Sequence, residues 1–153
     1  MNLKPLIIST LIIGLCSVSK TSKANYSELI LGDWNCFIDV ELVGMTMSIT
    51  MQNSFSKDKS AKGRGLVKVQ NAAIGMNLAY DVKVDQTWFI QNNTLYQTVV
   101  ASSIQSLKSS FYESMFDTDS LLPVGQQEST KIMTLTQSSF LGLYNGLDLK
   151  CNR

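Results

Sequence analysis

From Leu31 to Ser56 apolar and polar side chains alternate almost without interruption. A period of two is a pattern that an α-helix cannot place on one face and a β-strand can. Trp34, Cys36, Ile38, Val40 and Leu42 share one phase, and Asn35, Asp39 and Glu41 share the other, with Phe37 as the exception. Gly44 divides this run from a second one. There Met45, Met47, Ile49, Met51 and Phe55 alternate with Thr46, Ser48, Thr50, Gln52 and Ser54. Two half-buried strands, 31–43 and 45–56, are predicted.

The same reading continues along the chain. Lys57 to Gly65 is basic and contains Gly63 and Gly65; it reads as a solvated hairpin tip rather than an anion or membrane contact. Leu66 to Asn71 is a third strand, Met76 to Asp85 a fourth and Gln86 to Gln91 a fifth. Asn92-Asn93 suits a two-residue hairpin, because Asn tolerates positive φ. Thr94 to Ala101 is the sixth strand. Ser102 to Phe116 then places Ile104, Leu107, Phe111 and Met115 at helical spacing, with Ser102 or Ser103 as cap. Asp117 to Ser129 is polar, holds Pro123 and Gly125, and reads as a loop. Thr130 to Gln137 and Phe140 to Cys151 are the last strands, the latter turned at Asn145-Gly146. The expected fold is mainly β: an antiparallel barrel or strongly curved sheet of seven to nine strands, with one amphipathic helix.

Met1 to Ala24 reads as a signal peptide. Lys4 precedes a short apolar run from Leu6 to Cys16, and Ser22 and Ala24 are small residues at the −3 and −1 positions of a cleavage site. The apolar run spans 11 residues, against about 20 for a spanning helix. An uncleaved anchor is the competing reading, and a lipoprotein at Cys16 is opposed by the bulk of Leu15. Cleavage after Ala24 leaves residues 25–153 as a single β-barrel domain. It removes Lys4, Lys20 and Lys23, leaving 10 basic and 12 acidic residues. Such a balance does not call for nucleic acid.

Of the three cysteines, Cys16 falls in the signal, so Cys36 and Cys151 remain. Two cysteines in an exported chain are expected to pair. The bridge would tie the first strand to the last across about 115 residues. Two free buried thiols are the alternative.

Catalytic signals are weak. The chain has no histidine, which removes imidazole acid–base chemistry and most zinc sites. Asp39 with Glu41, and Asp117 with Asp119, are carboxylate pairs of the kind found on solvated strand faces. Asp81 and Asp117 are the carboxylates that an enzyme reading would need perturbed. No catalytic residue, metal site or cofactor is assigned, and the protein is expected not to be an enzyme. The compositional excess is methionine, a flexible residue suited to adaptable apolar surfaces. A wall of Met47, Ile49, Met51, Leu78, Tyr80 and Trp88 is the candidate ligand-binding set. The competing reading is an ordinary core filled by its own side chains.

Leu31-Gly32-Asp33-Trp34-Asn35-Cys36 resembles the Gly-x-Trp opening of lipocalin-like, or calycin-type, barrels, and Gln86-Thr87-Trp88-Phe89 is similar to their second aromatic strand. The resemblance implies a barrel whose first Trp packs across a closed end. The layout also resembles, in architecture alone, the periplasmic partners of ToxR/ToxS-type regulator pairs. Those are lipocalin-like barrels that stabilise a membrane-bound regulator and help to sense bile salts. The expectation is therefore a periplasmic or secreted protein of a Gram-negative bacterium. It would bind an apolar small molecule, lipid-like or bile-salt-like, or a segment of a periplasmic or membrane protein. The alternative is a protein–protein module: a regulator partner, a secretion accessory factor, or an inhibitor or immunity protein.

Overall fold

The computed structural model describes residues 25–108, 118 and 121–153. Eight antiparallel strands close into a barrel in simple sequence order. They are β1 (Gly32–Leu42), β2 (Met45–Phe55), β3 (Ser60–Asn71), β4 (Met76–Gln91), β5 (Thr94–Ser106), β6 (Gln127–Leu135), β7 (Ser139–Tyr144) and β8 (Leu147–Asn152). Among the described residues, one helical turn, α1 (Tyr26–Leu29), precedes them, and a 3-10 turn at Ala72–Ile74 links β3 to β4. Closure in an up-and-down order joins each strand to its neighbours in sequence, and every strand is paired on both sides over at least part of its length.

The hairpins follow local chemistry. Asn92 and Asn93 both take positive φ (49° and 59°), as do Asn145 and Gly146 (49° and 81°). Two positive central residues match the right-handed twist of the flanking strands. At the β2–β3 turn Lys59 N–H donates to the Ser56 carbonyl at 3.1 Å. Asp58 accepts from the Ser60 N–H at 3.0 Å and the Ser60 hydroxyl at 2.6 Å, and these bonds hold its carboxyl below the ordinary range. The turn is thus shorter than the sequence suggested. Ser60 to Gly65 belong to β3, because Ala61 packs inward opposite Phe55 and Gln86.

Two further expectations are corrected. The fourth and fifth strands are one, since β4 runs unbroken from Met76 to Gln91. What sequence patterning read as a break is a bulge: Asp85 pairs with Ala101 and Gln86 with Val99, leaving Val100 out of register. The helix expected from Ser102 does not begin there. β5 continues to Ser106, because β4 offers partners as far as Tyr80↔Ser106. Ile104 pairs with Val82 across the ladder rather than with Leu107 on a helix face. Phe111, Met115, Asp117 and Asp119 lie outside the described residues, as does the expected signal segment 1–24.

The barrel interior holds two apolar clusters. At one end Trp34, Phe55, Trp88, Leu95, Ile132, Leu135 and Phe140 pack together, with Ile30 and the side chains of Tyr26 and Leu29 against them. Trp34 meets Phe140 edge-on, with centroids 6.2 Å apart, and Phe55 meets Trp88 the same way at 5.8 Å. Both indole N–H groups are satisfied. Trp34 Nε1 donates to the Ile30 carbonyl at 2.7 Å. Trp88 Nε1 lies 3.0 Å from the Ser60 carbonyl and 3.2 Å from that of Ser56. A cation covers each ring: Arg153 lies 4.2 Å from the Trp34 centroid, and Lys59 Nζ 4.0 Å from that of Trp88. Arg153 also donates to the carbonyls of Leu29 and Leu31, tying the C-terminal residue to the approach to β1. The second cluster is built from Val69, Met76, Leu78, Tyr80 and Val82.

The closing seam is short. β1 pairs with β2 over its whole length, from Gly32↔Phe55 to Leu42↔Met45. It meets β8 only at Asn35↔Asn152, Cys36↔Cys151 and Phe37↔Lys150. Cys36 and Cys151 are directly opposite and disulfide-bonded. The covalent staple therefore sits at the middle pair of the thinnest ladder around the barrel. Such a bond is compatible with an exported protein.

Candidate functional site

Strand parity decides what faces inward. Ile38 of β1, Ile49 of β2, Val67 of β3 and Tyr80 of β4 lie in one cross-strand row. Cys36, Met51, Gly65 and Val82 form the next row, and Val40, Met47, Val69 and Leu78 the row on the other side. In a filled barrel these side chains would all be sealed. Instead Met47, Ile49 and Met51 are only half-buried although they face inward. They border a cavity of about 350 Å³. Two inward positions of β3 have no side chain to fill it. A Cβ at Gly65 would stand 2.0 Å from the Thr50 carbonyl oxygen and 2.6 Å from Met51 Sδ; one at Gly63 would stand 2.8 Å from Asn53 Oδ1 and Val84 Cγ1. These glycines let Met51 lie close along the wall, a use of glycine typical of bent barrel strands.

Four of the six residues picked from sequence line this cavity: Met47, Ile49, Met51 and Tyr80. Leu78 does not. It is sealed within the Val69–Met76–Tyr80 cluster beside the cavity. Trp88 does not either. Eight residues beyond Tyr80 on an extended strand means roughly 26 Å, and Trp88 belongs to the cluster at the opposite end. Shared phase put it inside the barrel, but phase carries no information about height along the axis.

Sequence reasoning missed the polar part of the wall. Gln86, Gln97, Glu128, Thr130 and Tyr144 all border the cavity. Gln97 Nε2 donates to Gln86 Oε1 at 2.8 Å. The Tyr144 hydroxyl donates to Glu128 Oε2 at 2.6 Å, and Gln126 Nε2 donates to Glu128 Oε1 at 3.1 Å. Burial, followed by the neighbouring Glu128, pushes the Tyr144 phenol well above its ordinary range. The signal was present in the sequence: Gln86 stands in phase with Val82, Val84 and Trp88, and Gln97 in phase with Leu95 and Val99. A polar residue on the apolar phase of a strand marks an inward polar group. The strand break read at Asp85 and the loop read over Glu128 hid it.

The Tyr144 proton has a thermodynamic consequence. The folded state holds it at a pH where the unfolded phenol, with a pKa of about 10, releases it. The contribution is therefore complete below about pH 10 and lost as pH rises beyond that. Urea unfolding between about pH 9 and pH 11 should show stability falling with pH, and Tyr144→Phe should remove part of that slope. An identical slope in the variant would contradict the assignment.

The carboxylates weighed for catalysis stand elsewhere. Asp39 and Glu41 are exposed on β1. Asp81 faces Lys83 in an exposed ion pair at 3.6 Å, a contact of little energetic weight. Compared with known proteins, the chain matches no family model and no curated sequence.

Proposed function

We propose that this chain is an exported, periplasmic, non-catalytic binding protein that holds a small apolar molecule inside a lipocalin-like barrel. The cavity bordered by Met47, Ile49 and Met51 carries this reading. A drug-sized apolar ligand needs roughly 300 Å³ or more, and about 350 Å³ is present. The lining is flexible thioether and branched aliphatic on β1 to β4, with polar groups confined to a few positions. That is the usual division between a surface that supplies affinity and groups that orient the ligand. Gly32-Asp33-Trp34 at the start of β1, with Trp34 buried at the packed end, supports the lipocalin-like assignment. The disulfide supports export.

Titration with 1-N-phenylnaphthylamine, a neutral probe that brightens in apolar surroundings, tests the proposal. Saturable binding at one site per chain is expected, and Ile49→Trp, which fills the cavity from β2, should abolish it while the barrel remains folded by circular dichroism. Equal binding by the variant would place the probe elsewhere and overturn the reading. A second reading, a docking module for a periplasmic or membrane protein such as a ToxS-type regulator partner, rests on Met133, Leu141 and Leu143. These leave apolar side chains exposed on β6 and β7. It gains if the cavity accepts nothing.

A further inference from the structure

We propose that the cavity selects apolar molecules ending in a hydrogen-bond donor, an amine or an alcohol, and discriminates against those ending in a carboxylate. This rests on the ligand-binding reading and narrows it to a chemical class. Among the described residues that border the cavity, Glu128 carries the only charge, and no lysine or arginine is present. An anionic head group would find no counter-charge and would meet a carboxylate in a partly desolvated space. Coulomb repulsion is stronger there than in water.

Hydrogen-bond bookkeeping points the same way. An ionised carboxylate accepts at about four lone-pair positions and donates at none. Tyr144 and Gln126 fill one on each Glu128 oxygen. The Tyr144 proton is already committed to Glu128, so toward a ligand its oxygen can act only as an acceptor. The Glu128–Tyr144 pair therefore presents acceptors to whatever enters. An ammonium or hydroxyl placed against this pair completes it, whereas a carboxylate placed there sets acceptor against acceptor, which is costly for buried polar groups. The far wall of Met47, Ile49 and Val67 offers only apolar contact. The complementary molecule is amphipathic, with an apolar body against β2 and β3 and one donor end at Glu128. Fatty acids and bile acids, whose polar end is anionic, are the disfavoured case.

The test is displacement of bound 1-N-phenylnaphthylamine by octylamine, octanol and octanoate, which share one chain and differ in head group. Octylamine should displace the probe at a concentration at least about tenfold below that of octanoate, with octanol between or equal to the amine. Glu128→Gln should narrow the amine–octanoate gap to within about threefold while retaining the probe. The wild-type comparison is decisive without the variant, so a Glu128→Gln chain that fails to fold leaves the test intact. Octanoate displacing as well as octylamine would overturn this inference and leave the ligand-binding reading standing. A wild-type protein that never binds the probe would remove both.

Discussion

Replacing Cys36 and Cys151 together by serine is expected to lower the melting temperature by roughly 12–25 °C. The chain-entropy estimate for a closed loop of this length is on the order of 4–5 kcal/mol, and a domain of this size loses about 3–5 °C per kcal/mol. The position of the bond reinforces the estimate. β1 and β8 share only the pairs around Cys36↔Cys151, so backbone hydrogen bonding holds the seam weakly once the bond is gone. The reduced barrel should therefore open first along this seam. Amide exchange should accelerate at Asn35, Phe37 and Lys150 well before it does along the β3–β4 ladder, which runs from Ser60↔Thr87 to Asn71↔Met76. A melting temperature unchanged by the double substitution, measured without reductant, would show that the staple is not formed in solution.

Trp34→Ala is expected to cost about 3–5 kcal/mol, as for other large-to-small changes in a core. Trp34 has 0% of its surface exposed, so the loss includes its packing against Phe140. It also removes the donor to the Ile30 carbonyl, an acceptor that becomes expensive if it stays dry. Arg153 loses the ring beneath it, a contact worth about 0.5–1 kcal/mol at an accessible site. The matched control is Phe37→Ala on the same strand. Phe37 faces outward and is 41% exposed, so its removal should cost under about 1 kcal/mol. Chemical denaturation of both variants separates the cases. Equal destabilisation would mean that the two faces of β1 have been assigned the wrong way round.

How much of this was legible beforehand varies from strand to strand, for physical reasons. β1 and β2 are legible to within a residue or two because each turns an apolar face inward and a mostly polar face outward, which writes a period of two into the chain. The hairpins at Asn92-Asn93 and Asn145-Gly146 were legible because a type of turn demands a type of residue. The β1–β8 disulfide followed from counting cysteines. β4 was split because Gln86 interrupts an apolar phase, and only the ladder with β5 shows that Val100 absorbs the irregularity. The end of β5 was misread because Ser102, Ser103, Gln105 and Ser106 offer no apolar partner phase. Its strand state is imposed by pairing with β4, a tertiary effect that local propensity cannot report. The cavity was half legible. Met47, Ile49, Met51 and Tyr80 were found by phase, whereas Gln97, Glu128 and Tyr144 converge on it from three strands that no local window spans.

We propose that the methionine-lined interior of the barrel, rather than its outer surface, receives an apolar molecule. Methyl-labelled methionine makes it directly observable by NMR. Met47 and Met51 border the cavity, while Met133 is 58% exposed on β6. Titration with octylamine should shift the Met47 and Met51 methyl resonances to saturation near one equivalent and leave Met133 in place. Movement of Met133 alone, or no movement of Met47 and Met51 at any ratio, would contradict it.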